Sequence, residues 1–253
     1  MSLLEHCIIP DWPAPKNVRA LQTTRNGGVS ATPYDSLNLG DHVGDAPLAV
    51  ERNRMSLQSL FASEPVWLKQ VHGTVVADAG QAACWPQADA CISRHSGAVC
   101  VVMTADCLPV LLCDEQGSVV GAVHAGWRGL CDGVIEKTVH AMNAPPQTIM
   151  AWLGPAIGPQ AFEVGEEVRA AFVAKQPEAA TAFIATPESG REVGVKVNKY
   201  LADIYQLARL RLHALGITRI YGGGLCTYTD QERFFSYRRD GVTGRMGTFI
   251  WLE

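Results

Sequence analysis

Ala98-Val99-Cys100-Val101-Val102-Met103-Thr104, Pro109-Val110-Leu111-Leu112-Cys113 and Val119-Val120-Gly121-Ala122-Val123-His124 form the most informative stretch of the chain. Each is a short apolar run, and each is followed by a change of composition: Ala105-Asp106-Cys107-Leu108 after the first, Asp114-Glu115-Gln116-Gly117 after the second, and Ala125-Gly126 after the third. Continuous apolar runs of this length, rather than alternation, predict strands covered on both faces. Working outward, Leu130, Val134, Thr138, Val139 and Met142 recur at three- and four-residue spacing and predict a helix over 129–142. A strand over 148–153 comes next. Tyr200, Leu201, Ile204, Leu207, Ala208 and Leu212 predict an amphipathic helix over 197–215, stopped by Gly216. Residues 217–221 and 246–252 read as closing strands. Strands and helices mixed in this way imply a sheet core with helices packed outside it.

The chain has 253 residues, 47% hydrophobic and 18% charged, enough to bury a large core beneath a polar surface. No low-complexity stretch, internal repeat or long linker divides it, so residues 1–253 are read as one domain. Residues 177–190, with mixed Thr, Pro, Glu, Ser and Gly, read as an exposed surface insertion. Twenty-one Lys and Arg stand against 25 Asp and Glu without a dense basic block, which gives no support for a nucleic-acid or membrane partner. Residues 1–15 have no signal-peptide pattern, and no segment approaches the roughly 20 apolar residues of a membrane span. The expected location is the cytoplasm. Eight cysteines without close pairing, Cys84 among them, are then expected as reduced thiols, those inside apolar runs acting as small hydrophobes.

Three segments place metal-competent side chains among glycines and prolines, where the backbone turns. They are Lys69-Gln70-Val71-His72-Gly73, Thr104-Ala105-Asp106-Cys107-Leu108-Pro109 and Ala122-Val123-His124-Ala125-Gly126-Trp127-Arg128-Gly129. Their wide separation excludes a zinc knuckle, so a site built from them has to be assembled by the tertiary fold. Zinc accepts imidazole and thiolate together, and three protein ligands leave one position open, as in catalytic zinc. Taken alone, the residues also allow Cys107 to be a nucleophile activated by His124 or His72 beside Asp106, or simply a buried thiol.

The same segments, together with Thr24-Arg25-Asn26-Gly27-Gly28-Val29-Ser30, Tyr34-Asp35-Ser36-Leu37-Asn38-Leu39-Gly40, His42-Val43-Gly44-Asp45, Trp152-Leu153-Gly154-Pro155-Ala156-Ile157-Gly158 and Phe234-Phe235-Ser236-Tyr237-Arg238-Arg239-Asp240, carry a resemblance through most of the chain. The chain resembles the YfiH/LACC family, described both as multicopper polyphenol oxidases (laccases) and as purine nucleoside phosphorylases. The resemblance implies an α+β fold, an α/β/β/α layered sandwich with mixed sheets, distantly related to cysteine-dependent toxin deamidases. It implies zinc on His72, Cys107 and His124, which are then also the catalytic residues. It further implies phosphorolysis of adenosine, inosine, guanosine and methylthioadenosine, with adenosine deamination. The expected partners are therefore a small nucleoside and phosphate.

Phosphorolysis needs a cationic phosphate site, and Arg25 and Arg128, both in glycine-rich turns, are the candidates; the alternative for each is a loop-bracing arginine. Asn38, with His42 and Asp45, is expected to wall the pocket and contact substrate, although Asn and Asp also serve ordinary turns. Tyr237, Arg238 and Arg239 are read either as closing over a ligand or as a strand edge with solvated charges. Copper also fits two imidazoles and a thiolate, but seven histidines with no His-x-His pair do not supply a trinuclear cluster. Two other readings remain: an amidase editing UDP-muramyl conjugates, and a non-catalytic module stabilised by zinc.

Overall fold

The computed structural model describes residues 3–81, 85–186, 191–192, 195–196 and 198–253. Cys84, Val197 and residues 187–190 of the expected insertion lie outside the described residues. Two sheets form the centre, the larger mixed and the smaller antiparallel. The larger has, in spatial order, the strands Arg219–Gly222, Ile149–Leu153, Leu108–Asp114, Val120–Ala125, Ala90–Ser93 and Val76–Asp78. The smaller has Cys7–Ile8, Val18–Thr23, Met246–Leu252 and Cys100–Thr104. Pairing is antiparallel except at the two edges of the larger sheet, where Arg219 lies beside Met150 and Val76 beside Ala90 in parallel.

The continuous apolar runs are explained by what lies on each side of them. Successive strand residues face opposite ways. Val110 and Leu112 join Leu130, Val134, Val139, Leu207 and Leu212 of the helices outside the larger sheet. Leu111 and Cys113 instead meet Cys100, Val102 and Ile250 of the smaller sheet. On the far side of that sheet, Val101, Met103 and Phe249 pack with Leu57 of the helix Pro47–Gln58. Helix, sheet, sheet and helix therefore stack through three apolar layers, which gives the α/β/β/α order.

Three sequence expectations are corrected. The helix over 129–142 is two helices, Trp127–Asp132 and Val134–Met142, because Gly133 at φ +96° takes a left-handed turn between them. The helix expected from 197 begins at Ile204, capped by the Asp203 carboxylate, which accepts the Gln206 N–H. Lys199–Ala202 before it is a strand, paired with Phe183–Ala185 and Glu163–Gly165. The stretch read as an exposed insertion contains the 3-10 helix Pro177–Ala182, whose Ala179 and Ala182 are buried in the core.

Candidate metal centre

The link Ala105-Asp106-Cys107 carries the chain from the end of Cys100–Thr104 in one sheet to the start of Leu108–Asp114 in the other. Cys107 thus sits at the mouth of the space between the sheets. Asp106 holds φ +87° here. Its carboxylate accepts the Thr227 hydroxyl and the Arg238 N–H, both at 2.6 Å, and its carbonyl accepts the Ile157 N–H at 2.9 Å. Those bonds stabilise an otherwise unfavourable backbone state and leave Asp106 engaged away from the thiol.

His124 lies on the neighbouring strand opposite Pro109, and His72 stands on a loop at φ +61°. What joins them is Asp89, a fully buried carboxylate. It accepts the N–H groups of His72 at 2.8 Å, Gly73 at 2.7 Å and Val71 at 3.2 Å, and it contacts Nδ1 of His124 at 2.9 Å. With Nδ1 of His124 so engaged, its Nε2 is the atom left for a ligand. Glycines allow the approach. A Cβ at Gly126 would stand 2.8 Å from His72 Cδ2 and 3.0 Å from Cys107 Sγ, and one at Gly129 only 2.7 Å from the Gly73 carbonyl oxygen.

One ligand atom from each of His72, Cys107 and His124 lies within 4.8 Å of the others. Cys107 Sγ is 3.7 Å from His72 Nε2, and the two imidazole rings meet edge to face at 4.7 Å. Burial alone would raise the Cys107 pKa, but the charge and hydrogen bonds of His124, followed by those of His72, bring it down to about 6. For His124, burial pulls down, while the Cys107 charge and Asp89 push the value up to about 9. Thiolate and imidazolium stabilise one another. A thiolate and two imidazoles, one backed by a buried carboxylate, form a donor set that fits zinc or copper.

Two cavities meet at this centre and share His72, Ala105, Cys107 and Tyr237. One, of about 380 Å³, adds His42, Gln70, Met103, Thr104, His124 and Arg245. The other, of about 230 Å³, adds Asp106, Trp127, Arg128, Ile157, Phe162, Ile204 and Arg238. Of the expected substrate residues, Arg128 lines the second cavity, exposed and with its guanidinium 4.5 Å from the Trp127 ring. Arg25 is placed elsewhere, lining a separate cavity, where it bonds the carbonyls of Asp35 and Gln231 and the Asp35 carboxylate. Asn38 does not line either cavity. Its side chain donates to the Gly40 carbonyl and Asp45 and accepts the Gly40 and Arg245 N–H groups, which fills its capacity. Tyr237, Arg238 and Arg239 open a short helix, Tyr237–Asp240, rather than a strand edge.

Asp89 and Arg245 are the two residues that sequence reading alone does not single out. The signal for Asp89 is a lone acid between Ala88 and Ala90, just before the apolar run Ala90-Cys91-Ile92, where a charge needs a partner. Arg245, in Thr243-Gly244-Arg245-Met246, carries no such mark.

Two packed sheets holding a thiolate and two imidazoles between them define a mixed α/β protein with a candidate metal centre. Residues 19–253 match the family described as multi-copper polyphenol oxidoreductase laccase, and the chain belongs to that family. Among its relatives, purine nucleoside phosphorylase YfiH of Shigella flexneri is 57% identical over 97% of this chain and 98% of its own length. A Pseudomonas aeruginosa protein, also named as a purine nucleoside phosphorylase, is 52% identical over 97% and 98%. The crystal structure of a Neisseria meningitidis protein, 52% identical, superposes with a TM-score of 0.89 over 98% of this chain and 99% of that one. YlmD from Geobacillus stearothermophilus, 32% identical, gives 0.82 over 95% and 94%.

Proposed function

We propose that the chain is a zinc-dependent purine nucleoside phosphorylase acting on adenosine, inosine, guanosine and methylthioadenosine, and that the same site deaminates adenosine. The observation that carries this reading is the convergence of His72, Cys107 and His124 where two unlike cavities join, one containing Arg245 and the other Trp127 and Phe162. The names of the relatives support the nucleoside and phosphate. Bound to His72, Cys107 and His124, zinc would supply Lewis acidity at the junction of the two cavities. The protein's own groups do the positioning. Asp89 fixes the tautomer and orientation of His124 while holding the His72 loop by its backbone. Gly126 keeps the space beside Cys107 open. Trp127, Phe162 and Tyr237 offer aromatic surface to a flat purine. The seven described cysteines are all free thiols, the state that a reducing cytoplasm maintains, which supports a cytoplasmic enzyme. Among the described residues, no helix is long and apolar enough to cross a membrane.

The test is an assay of purified protein, its metal quantified, with purine nucleosides in the presence and absence of orthophosphate. Phosphate-dependent release of free base with pentose 1-phosphate is expected, along with phosphate-independent conversion of adenosine to inosine. Zinc-loaded protein that releases no base from any of the four nucleosides would sink the phosphorylase reading. Activity that follows copper content rather than zinc content would move the assignment to the oxidase side of the family.

A further inference from the structure

Arg245 stands just before the last strand, Met246–Leu252, and lines the larger cavity together with Cys107. Its N–H donates to Asn38 Oδ1 at 2.8 Å, and its Nη1 donates to the carbonyls of Thr243 and Gly244, both at 3.0 Å. Among the described residues, Nε and Nη2 have no hydrogen-bond partner, and no carboxylate lies within ion-pair distance. The side chain is nevertheless held firmly. Gly40 leaves room for its stem, since a Cβ there would meet Arg245 Cγ at 2.7 Å. Asn38 is locked in turn by Asp45, whose carboxylate also accepts the Ser30 hydroxyl at 2.6 Å. A chain of hydrogen-bonded polar groups, with Asn38 and Ser30 buried and Asp45 half-buried, therefore fixes one half-buried guanidinium whose forked edge is unused.

Burying a cation away from water is costly unless a counter-charge meets it; burial lowers the Arg245 pKa, Cys107 and Asp106 favour its charge only from a distance, and the Tyr237 ring lies 5.9 Å away. The other candidate arginines differ. Arg128 is exposed and lies over Trp127, Arg238 is exposed and donates to the Glu163 carbonyl, and Arg25 lies away from the centre, occupied by Asp35 and Gln231. The side-on edge of a guanidinium matches two oxygens of a phosphate.

We propose that Arg245 binds the orthophosphate co-substrate in the larger cavity through its Nε–Nη2 edge, while the purine base occupies the smaller, aromatic cavity. This rests on the phosphorylase reading above. In the reaction, a phosphate oxygen forms a bond to the anomeric carbon of the ribose as the bond from that carbon to the base nitrogen breaks. The electron pair leaves with the base, and the proton given up by phosphate ends on the base. Asn38, Asp45 and Gly40 are positioning residues that act through Arg245.

The experiment titrates orthophosphate into the metal-loaded protein by calorimetry, with wild type, Arg245→Gln, Arg245→Lys and Arg128→Gln, and measures KM for phosphate in inosine cleavage. Arg245→Gln should weaken phosphate binding at least about tenfold, the loss expected for hydrogen bonds to a charged group. Arg245→Lys, which keeps the charge but not the fork, should fall between it and wild type, and Arg128→Gln should weaken binding less than either. Wild-type protein that binds no orthophosphate, Arg245→Gln binding as wild type does, or a larger loss in Arg128→Gln would overturn the assignment. Phosphate binding that depends on Arg245 in a protein that cleaves no nucleoside would retain the anion site and remove the phosphorylase reading. Inosine phosphorolysis with an unchanged KM for phosphate in Arg245→Gln would do the reverse.

Discussion

Four groups turn toward the Asp89 carboxylate: three backbone N–H groups of the His72 loop and one ring nitrogen of His124. Burial raises the Asp89 pKa, yet the His124 hydrogen bond and the backbone donors more than offset it, so Asp89 is held below the ordinary carboxylate range. Asp89→Asn keeps the shape but turns one acceptor into a donor and removes the charge that favours protonated His124. Two consequences follow in sequence. Metal affinity should fall roughly 10- to 100-fold, the usual effect of losing a carboxylate behind a ligating histidine. In metal-free protein, His124 would carry less positive charge, and Cys107 would lose part of what lowers its pKa. The pH midpoint for alkylation of Cys107, expected near 6 in the wild type, should therefore move upward in Asp89→Asn. An unmoved midpoint together with unaltered metal content would reduce Asp89 to a bystander. The three segments stood out because His72, Cys107 and His124 each sit beside turn-forming residues, where a purely apolar role is hard to assign, but the choice of metal ligands over a nucleophilic or buried Cys107 rested on the family resemblance. Asp89 did not stand out, since its partners come from residues 71–73 and 124 and only the fold brings them together.

The helix Trp127–Asp132 depends on the loop it packs against. Gly129 faces the Gly73 carbonyl so closely that any Cβ would stand 2.7 Å from that oxygen, and the obstructing atom is backbone. In Gly129→Ala the helix and the His72 loop have to separate, which costs about 1–3 kcal/mol by the usual scale of overpacking. The expected result is a lower metal-to-protein ratio after dialysis, with His72 displaced from Cys107 and His124. Full metal content and unchanged thermal stability in that variant would mean that the loop yields freely. Periodicity could not have located this contact, because a glycine adds nothing to an apolar pattern. The same blindness explains the helix predicted unbroken through Gly133, whose left-handed conformation the spacing of Leu130, Val134 and Val139 does not reveal. Lys199–Ala202 failed for another reason. Tyr200 and Leu201 continue the helical spacing of Ile204 and Leu207, but their pairing with Glu163–Gly165 and Phe183–Ala185 decided the conformation, a tertiary choice overriding local preference. The cap at Asp203 was the available clue.

Across the molecule, the three apolar layers lie between sheets and helices, whereas the candidate metal centre occupies one end of the gap between the sheets. The fold should therefore survive loss of the ion. Binding at roughly 100 times Kd would contribute about 2.7 kcal/mol of stability, and for a chain of this size each kcal/mol moves Tm by about 2–4 °C. Chelation should thus lower Tm by about 5–10 °C and leave a cooperative transition; unfolding at room temperature would instead make the metal part of the scaffold. The central strands were legible from their continuous apolar runs, because a strand packed on both faces admits no polar alternation. The order of the layers was not, since it depends on which sheet each strand joins. Met246–Leu252 illustrates this, lying between Val18–Thr23 on one side and Cys100–Thr104 on the other. During synthesis, those two partners emerge from the ribosome long before the strand that joins them, and they wait as unmatched edges until residue 252 is free. The smaller sheet, and with it the seat of Arg245, is therefore assembled only after translation has passed that point, a vulnerable interval in which chaperones would have exposed strand edges to guard.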